Sequence, residues 1–313
     1  MKTDLFTKTM SDGAQLVIHS WLPEKKSVKG IVVLSHGMAE HAARYEPFAK
    51  LLTDSNIAVY GEDHRGHGQT ALLAQKNANG KLGYLCKDKG FLRVVEDIHE
   101  EVEMVKELYP GKKVILFGHS FGSFISQAFI ENYGNTIDGC VLCGTAGPRP
   151  LLMAFARCLA LVCSLGGKER YSPFIDKMAF GSSNSTYKNP RTKYDWLSRD
   201  EKSVDNYIAD PLCGFVCTVE FYQELFRGLS YIHTKKQIKK IPLDLPIHFI
   251  DGTADPVGSY GKTVEKLFNI YRKNGMKNVD LVWYQDARHE LLKETNGEEV
   301  SNEVLKWILQ QIS

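Results

Sequence analysis

Val114-Ile115-Leu116-Phe117-Gly118-His119-Ser120-Phe121-Gly122 is the stretch on which the fold of this chain turns. A short apolar run ends in Gly-His-Ser-Phe-Gly, and Phe124-Ile125-Ser126-Gln127-Ala128-Phe129-Ile130 follows with a helical look. With 26 glycines in the chain, the pentapeptide alone says little. A strand before it and a helix after it make it a sharp elbow that presents a serine. The backbone closes on itself there, so the positions two before and two after Ser120 must lack bulk. The serine also sits at a helix N-terminus, where N–H groups and the helix dipole favour developing negative charge.

Similar runs lie on either side. Gly30-Ile31-Val32-Val33-Leu34-Ser35, Ile57-Ala58-Val59-Tyr60, Cys140 to Cys143, Pro246 to Ile250 and Val279 to Tyr284 read as strands covered on both faces. Residues around Ser11-Asp12-Gly13 read as a hairpin at an antiparallel edge, followed by a lysine-rich turn at Lys25-Lys26. Helical periodicity fills the gaps. It is clearest from Phe91 to Leu108, and recurs at Tyr45–Asp54, Phe124–Tyr133, Lys262–Asn274 and Glu298–Ile312. Strands alternating with amphipathic helices predict an α/β fold built on a mostly parallel sheet.

The alternation fails between Pro148 and Lys240. Leu151 to Gly167 is almost unbroken apolar sequence, interrupted by Arg157, and lacks the polar face of a sheet-covering helix. Such a helix is expected to be buried, to cover a greasy cavity or to touch lipid. We read 148–240 as a helical lid inserted into a core made of 1–147 and 241–313. The lid would lie over the carboxyl ends of the strands, where open α/β sheets bind ligands. Leu151, Leu152, Phe155 and Leu159 are the expected substrate-binding residues.

A serine hydroxyl needs a base, and the base needs an orienting acid. In a strand–elbow–helix architecture the acid and then the histidine follow the serine along the chain. Asp255 lies in a loop after Phe249-Ile250-Asp251-Gly252 and is the expected acid, with Asp251 as its competitor. Of the histidines, His289 alone follows a strand that itself follows the acid. Two backbone donors should hold a developing oxyanion: the N–H of Phe121, and that of Met38 in the Ser35-His36-Gly37-Met38-Ala39-Glu40 loop.

The remaining composition narrows the field. The chain has 313 residues, 39 basic against 37 acidic side chains and a net charge of +2, with no basic block of the kind a nucleic-acid binder carries. Met1 to Trp21 holds no apolar run of signal-peptide length, and nothing reaches the roughly 18 to 20 apolar residues of a membrane span. Seven cysteines, an odd number, suggest reduced thiols and a cytoplasmic setting. Cys140 and Cys143 fall three apart on a strand and should face opposite ways, so they cannot share a metal. Cys213 and Cys217 would share a helix face, with no second ligand pair. Asp63, His64 and His67 are the other metal-like group. No metal is expected.

Taken together, His36-Gly37-Met38-Ala39-Glu40-His41, Asp63-His64-Arg65-Gly66-His67-Gly68, Gly118-His119-Ser120-Phe121-Gly122, Asp255-Pro256 and Arg288-His289-Glu290 resemble the monoacylglycerol lipase and lysophospholipase branch of the α/β-hydrolase superfamily. Many of its members carry a "serine aminopeptidase" label. The resemblance spans nearly the whole chain, and in the lid rests on Asp210-Pro211-Leu212. It implies an eight-stranded sheet with a helical cap after the sixth strand, and a Ser-Asp-His triad without a cofactor. It also implies a structural Asp-His-Arg-Gly-His-Gly loop in which Arg65 bonds carbonyls. His119 is expected to pack away from Ser120, and His36 to shape the oxyanion loop.

The expected activity is therefore hydrolysis of carboxylic esters. Its substrate would be a small-molecule ester or single-chain lipid such as a monoacylglycerol or lysophospholipid, with peripheral membrane contact through the cap. A short-chain carboxylesterase or an aminopeptidase would use the same triad; Glu220 and Glu224 would be the peptidase's ammonium-binding carboxylates. Epoxide hydrolases and dehalogenases call for a carboxylate in place of Ser120. A ligand-binding protein without turnover is the reading from outside enzymology. The sequence leaves the oligomeric state undetermined.

Overall fold

The apolar runs form strands because each is buried on both faces, a setting that suits β-branched and aliphatic residues. The computed structural model describes residues 1–24 and 27–313, so the lysine-rich turn at Lys25-Lys26 lies outside the described residues. Among these, eight strands make one sheet: β1 (Lys2–Thr9), β2 (Gln15–Leu22), β3 (Gly30–Ser35), β4 (Ile57–Glu62), β5 (Val114–His119), β6 (Gly139–Cys143), β7 (Ile247–Gly252) and β8 (Val279–Tyr284). Their order is β1-β2-β4-β3-β5-β6-β7-β8. The β1–β2 hairpin and the β2–β4 pairing are antiparallel, and from β4 to β8 the sheet is parallel. This is the mostly parallel, doubly covered sheet that the sequence predicts.

Helices α1 (Glu46–Asp54) and α11 (Gly297–Ile312) cover one face. Helices α3 (Gly90–Leu108), α4 (Phe121–Tyr133) and α10 (Lys262–Lys273) cover the other. A helix the periodicity did not show, α2 (Gly68–Lys76), follows the Asp63–Gly68 loop; its apolar residues are too few to mark a stripe. Cys140 belongs to one core layer and Cys143 to the other, as their spacing on β6 requires.

Between β6 and β7 the chain leaves the sheet. It forms α5 (Pro150–Ser164), α6 (Pro173–Phe180), α7 (Glu201–Ala209), α8 (Val219–Ile232) and the single turn α9 (Lys235–Ile238). α5 is not buried: Ala160 is its sole buried residue, while Leu151 is 87% and Phe155 59% exposed. It packs along α8 and turns much of its apolar surface outward. Cys213 and Cys217 do not share a helix face, because they sit in the loop between α7 and α8, where Asp210-Pro211 has already ended the helix. No helix among the described residues is long and apolar enough to cross a membrane.

Candidate active site

The elbow holds the serine under strain. Ser120 has φ +52° and ψ −117°, a conformation that non-glycine residues adopt only when the surroundings impose it. α4 starts at Phe121, three residues earlier than its periodicity suggests, because Ser120 itself is the N-cap. A Cβ at Gly118 would strike the Ser126 hydroxyl, and one at Gly122 the Ser35 carbonyl. Both glycines are therefore required by close approach, as the motif reading holds.

The acid and the base meet. His289 Nδ1 lies 2.8 Å from Asp255 Oδ2, and both residues are buried. Burial opposes the imidazolium, yet the Asp255 charge beside it raises His289 above its ordinary value. Burial likewise pushes Asp255 up, but His289 and the Val257 N–H bond (2.8 Å) bring it below the usual carboxylate range. Asp251 is different: burial first, then the neighbouring Asp255 charge, raise it well above that range. It bonds the Gly252 N–H, and does not reach His289. His289 Nε2 is buried without a partner, and its residue lines a cavity of about 540 Å³ together with Ser120.

The loop after β3 is stiffened from below. Gly37 N–H donates to Glu40 Oε1 (2.6 Å), which also accepts the Tyr45 hydroxyl (2.7 Å). His36 Nδ1–H donates to Gly37 O (2.8 Å) while its Nε2 accepts the His64 N–H (3.0 Å), which fixes its tautomer. Burial keeps His36 neutral, so it shapes the loop. Arg44 pairs with Glu40 and, through two bonds of 2.6 and 2.9 Å, with Glu290 beside His289. Among the described residues, neither the Met38 nor the Phe121 N–H finds an acceptor. Met38 borders the Ser120 cavity.

Several expectations change here. Arg65 bonds carboxylates rather than carbonyls, gripping Asp12 (2.8 Å) and Asp97 (2.6 Å), because two acids from separate elements reach its guanidinium. Glu220 and Glu224 do not border the Ser120 cavity; they accept the Leu85 and Phe91 N–H groups beneath α8. Leu152, Phe155 and Leu159 line a second, apolar cavity of about 230 Å³, but Leu151 faces away from it. His119 packs beside His289, ring centroids 4.8 Å apart and planes tilted by 45°, and burial lowers it to about 4. His64 and His67 are likewise neutral, lowered by burial to about 3 and 4. His67 Nδ1 donates to the Arg65 carbonyl, and Asp63 is committed to His19 and to the Ala42 and Gln69 N–H groups.

Other residues at the site had no local signal. Trp196 lies with its ring centroid 5.2 Å from that of His289, and Glu290 N–H donates to Leu197 O (2.7 Å). Both insertion residues come from an irregular stretch. Asp176, Lys177, Lys193 and Tyr207 also border the Ser120 cavity. Phe180 borders both cavities and is the wall they share.

A parallel sheet with an antiparallel edge, a strained serine between β5 and α4, and an Asp–His pair on the loops after β7 and β8 define an α/β-hydrolase. The family model described as "Serine aminopeptidase, S33" matches residues 26–296. A monoacylglycerol lipase of Mycolicibacterium smegmatis is 27% identical over 308 residues, covering 96% of this chain and 95% of that one. The human monoglyceride lipase is also 27% identical, covering 96% and 89%. A thermostable carboxyl esterase from Bacillus coagulans, solved with glycerol, superposes with TM-score 0.87 at 26% identity over the whole of both chains. The chain belongs to the serine aminopeptidase S33 family of α/β-hydrolases. By class it is an ester hydrolase of this type.

Proposed function

We propose that Ser120, His289 and Asp255 form a catalytic triad that hydrolyses single-chain lipid esters, monoacylglycerols or lysophospholipids, through an acyl-enzyme. Ser120 attacks the ester carbonyl as His289 Nε2 takes its proton. Asp255 holds the Nδ1–H tautomer and stabilises the imidazolium. The Met38 and Phe121 amides receive the oxyanion; each such donor is worth about 10² to 10³ in rate. His289 then protonates the departing alcohol, and water releases the acid by the same steps.

The observation that carries this reading is the 2.8 Å His289–Asp255 contact, with His289 and the strained Ser120 lining one chamber. The lipid assignment draws support from the apolar chamber behind Phe180, where each buried acyl CH₂ contributes about 0.8 kcal/mol. The relatives named monoacylglycerol and monoglyceride lipase support it as well. Helices 148–240 act as the lid, and the bare apolar side of α5 meets a membrane surface at the periphery of a cytoplasmic enzyme. No cofactor takes part.

The test is a fluorophosphonate probe together with an acyl series. Labelling at Ser120, and kcat/KM rising from acetyl to long-chain glycerol esters, are expected. Preference for acetyl or butyryl esters would sink the lipid assignment; an unlabelled, inactive protein would sink the triad.

A further inference from the structure

The apolar cavity has one feature that plain hydrocarbon does not require. Its wall is made of Leu, Met, Phe, Ile and Ala side chains, with Arg149 as its single charged residue and no acid anywhere in its lining. Arg149 spends one N–H on the Val257 carbonyl. Among the described residues it has no carboxylate within ion-pair distance, and its other N–H groups have no protein acceptor. Arginine stays charged under any ordinary condition, so this is a half-buried cation beside a greasy wall without an ion-pair partner. His233 lines the same cavity, and its Nε2 is buried without a partner. Burial lowers His233 to about 4, so it is neutral; its one N–H serves the Ala146 and Leu229 carbonyls, and its Nε2 is a bare acceptor rather than a second charge.

A simple alkyl chain gains nothing from a cation beside it, because any desolvation of the guanidinium is a cost that hydrocarbon cannot return. A ligand that is apolar along its length and carries an anionic group supplies the missing partner. The floor of the cavity brings it next to the catalytic loops. Phe124 is one helical turn beyond Ser120, and Val257 is two residues beyond Asp255. The Asp255 charge also favours the Arg149 cation, although burial works against it.

We infer that the acyl cavity accepts acyl groups bearing a second carboxylate, that is, half-esters of dicarboxylic acids, with Arg149 pairing that carboxylate. This deepens the ester-hydrolase reading and rests on it. The chemistry at Ser120 is unchanged: the acyl C–O bond breaks, water supplies a hydroxyl to the acyl carbon and a proton to the alcohol, and the remote carboxylate leaves as it arrived. Arg149 is here a specificity residue, matching a planar carboxylate with a planar fork.

The experiment measures kcat/KM for monomethyl esters of straight-chain dicarboxylic acids of four to twelve carbons, each beside the methyl alkanoate of equal length. The expected result is a half-ester preference of at least tenfold that peaks at one chain length. Arg149→Met abolishes the peak, and Arg149→Lys keeps part of it, since lysine retains charge but loses the fork. Half-esters turned over no better than alkanoates at every length by the unaltered enzyme would overturn the proposal, whatever the variants do. So would a preference that survives intact in folded Arg149→Met. Failure of both ester series instead removes the ester reading on which it stands.

Discussion

The ends of the core strands and the helices between β6 and β7 solve opposite problems. At the strand ends the polar groups form a chain of specific pairs. Gly37 is tied to Glu40, Arg44 to Glu40 and Glu290, and His289 to Asp255, and glycines at 118 and 122 admit no side chain. On α5, by contrast, leucines and a phenylalanine stand bare, and Leu151 and Leu165 are each 87% exposed. One region holds a few atoms to fractions of an ångström, whereas the other carries apolar surface that the fold itself does not use. Precision belongs to the chemistry and adaptability to what must enter.

That contrast can be broken most decisively at Ser120. Ser120→Ala is expected to lower kcat by about 10⁴ to 10⁶ while leaving the thermal midpoint within a few degrees. Ester-hydrolysis rates beside a melting curve check it; residual activity within a hundredfold of the parent would move the nucleophile elsewhere. A smaller effect concerns pH. His289 must be neutral to accept the Ser120 proton, and it is raised above the ordinary 6.5. Activity should thus fall about tenfold per unit as pH drops below a midpoint above 6.5. Asp255→Asn should shift that midpoint downward, and a parental kcat/KM profile flat to pH 5 would contradict the arrangement. The smallest effect is on α5. Leu151→Ser and Leu165→Ser should each change stability by no more than about 0.5 kcal/mol, since both side chains already face water. The same pair should slow hydrolysis of vesicle-borne long-chain esters several-fold relative to a dissolved short ester. Equal rates on both would detach α5 from the lipid surface.

What could be read beforehand follows the same division. Strands and sheet-covering helices announce themselves by period and burial, so β3 to β8 and α3 stood out. Ser120, Asp255 and His289 could be proposed together because loops after successive strands converge on one edge of a parallel sheet, and the structure brings His289 to Asp255 there. Trp196, Asp176 and Lys193 could not, since nothing in the helices and turns between β6 and β7 tells from sequence which side chain returns to the site. Arg65 was misread for a related reason: its acids, Asp12 and Asp97, lie on a hairpin turn and a helix face, and no local pattern joins them. For α5 hydropathy left three outcomes open, and the structure excludes burial while placing Leu152, Phe155 and Leu159 along an apolar cavity.

The double grip of Arg44 has a consequence beyond local geometry. It joins a segment near residue 40 to one near residue 290, so the loop after β3 and the loop that carries His289 share one guanidinium. A disturbance at either loop is thereby felt at the other, and the two behave as one mechanical unit.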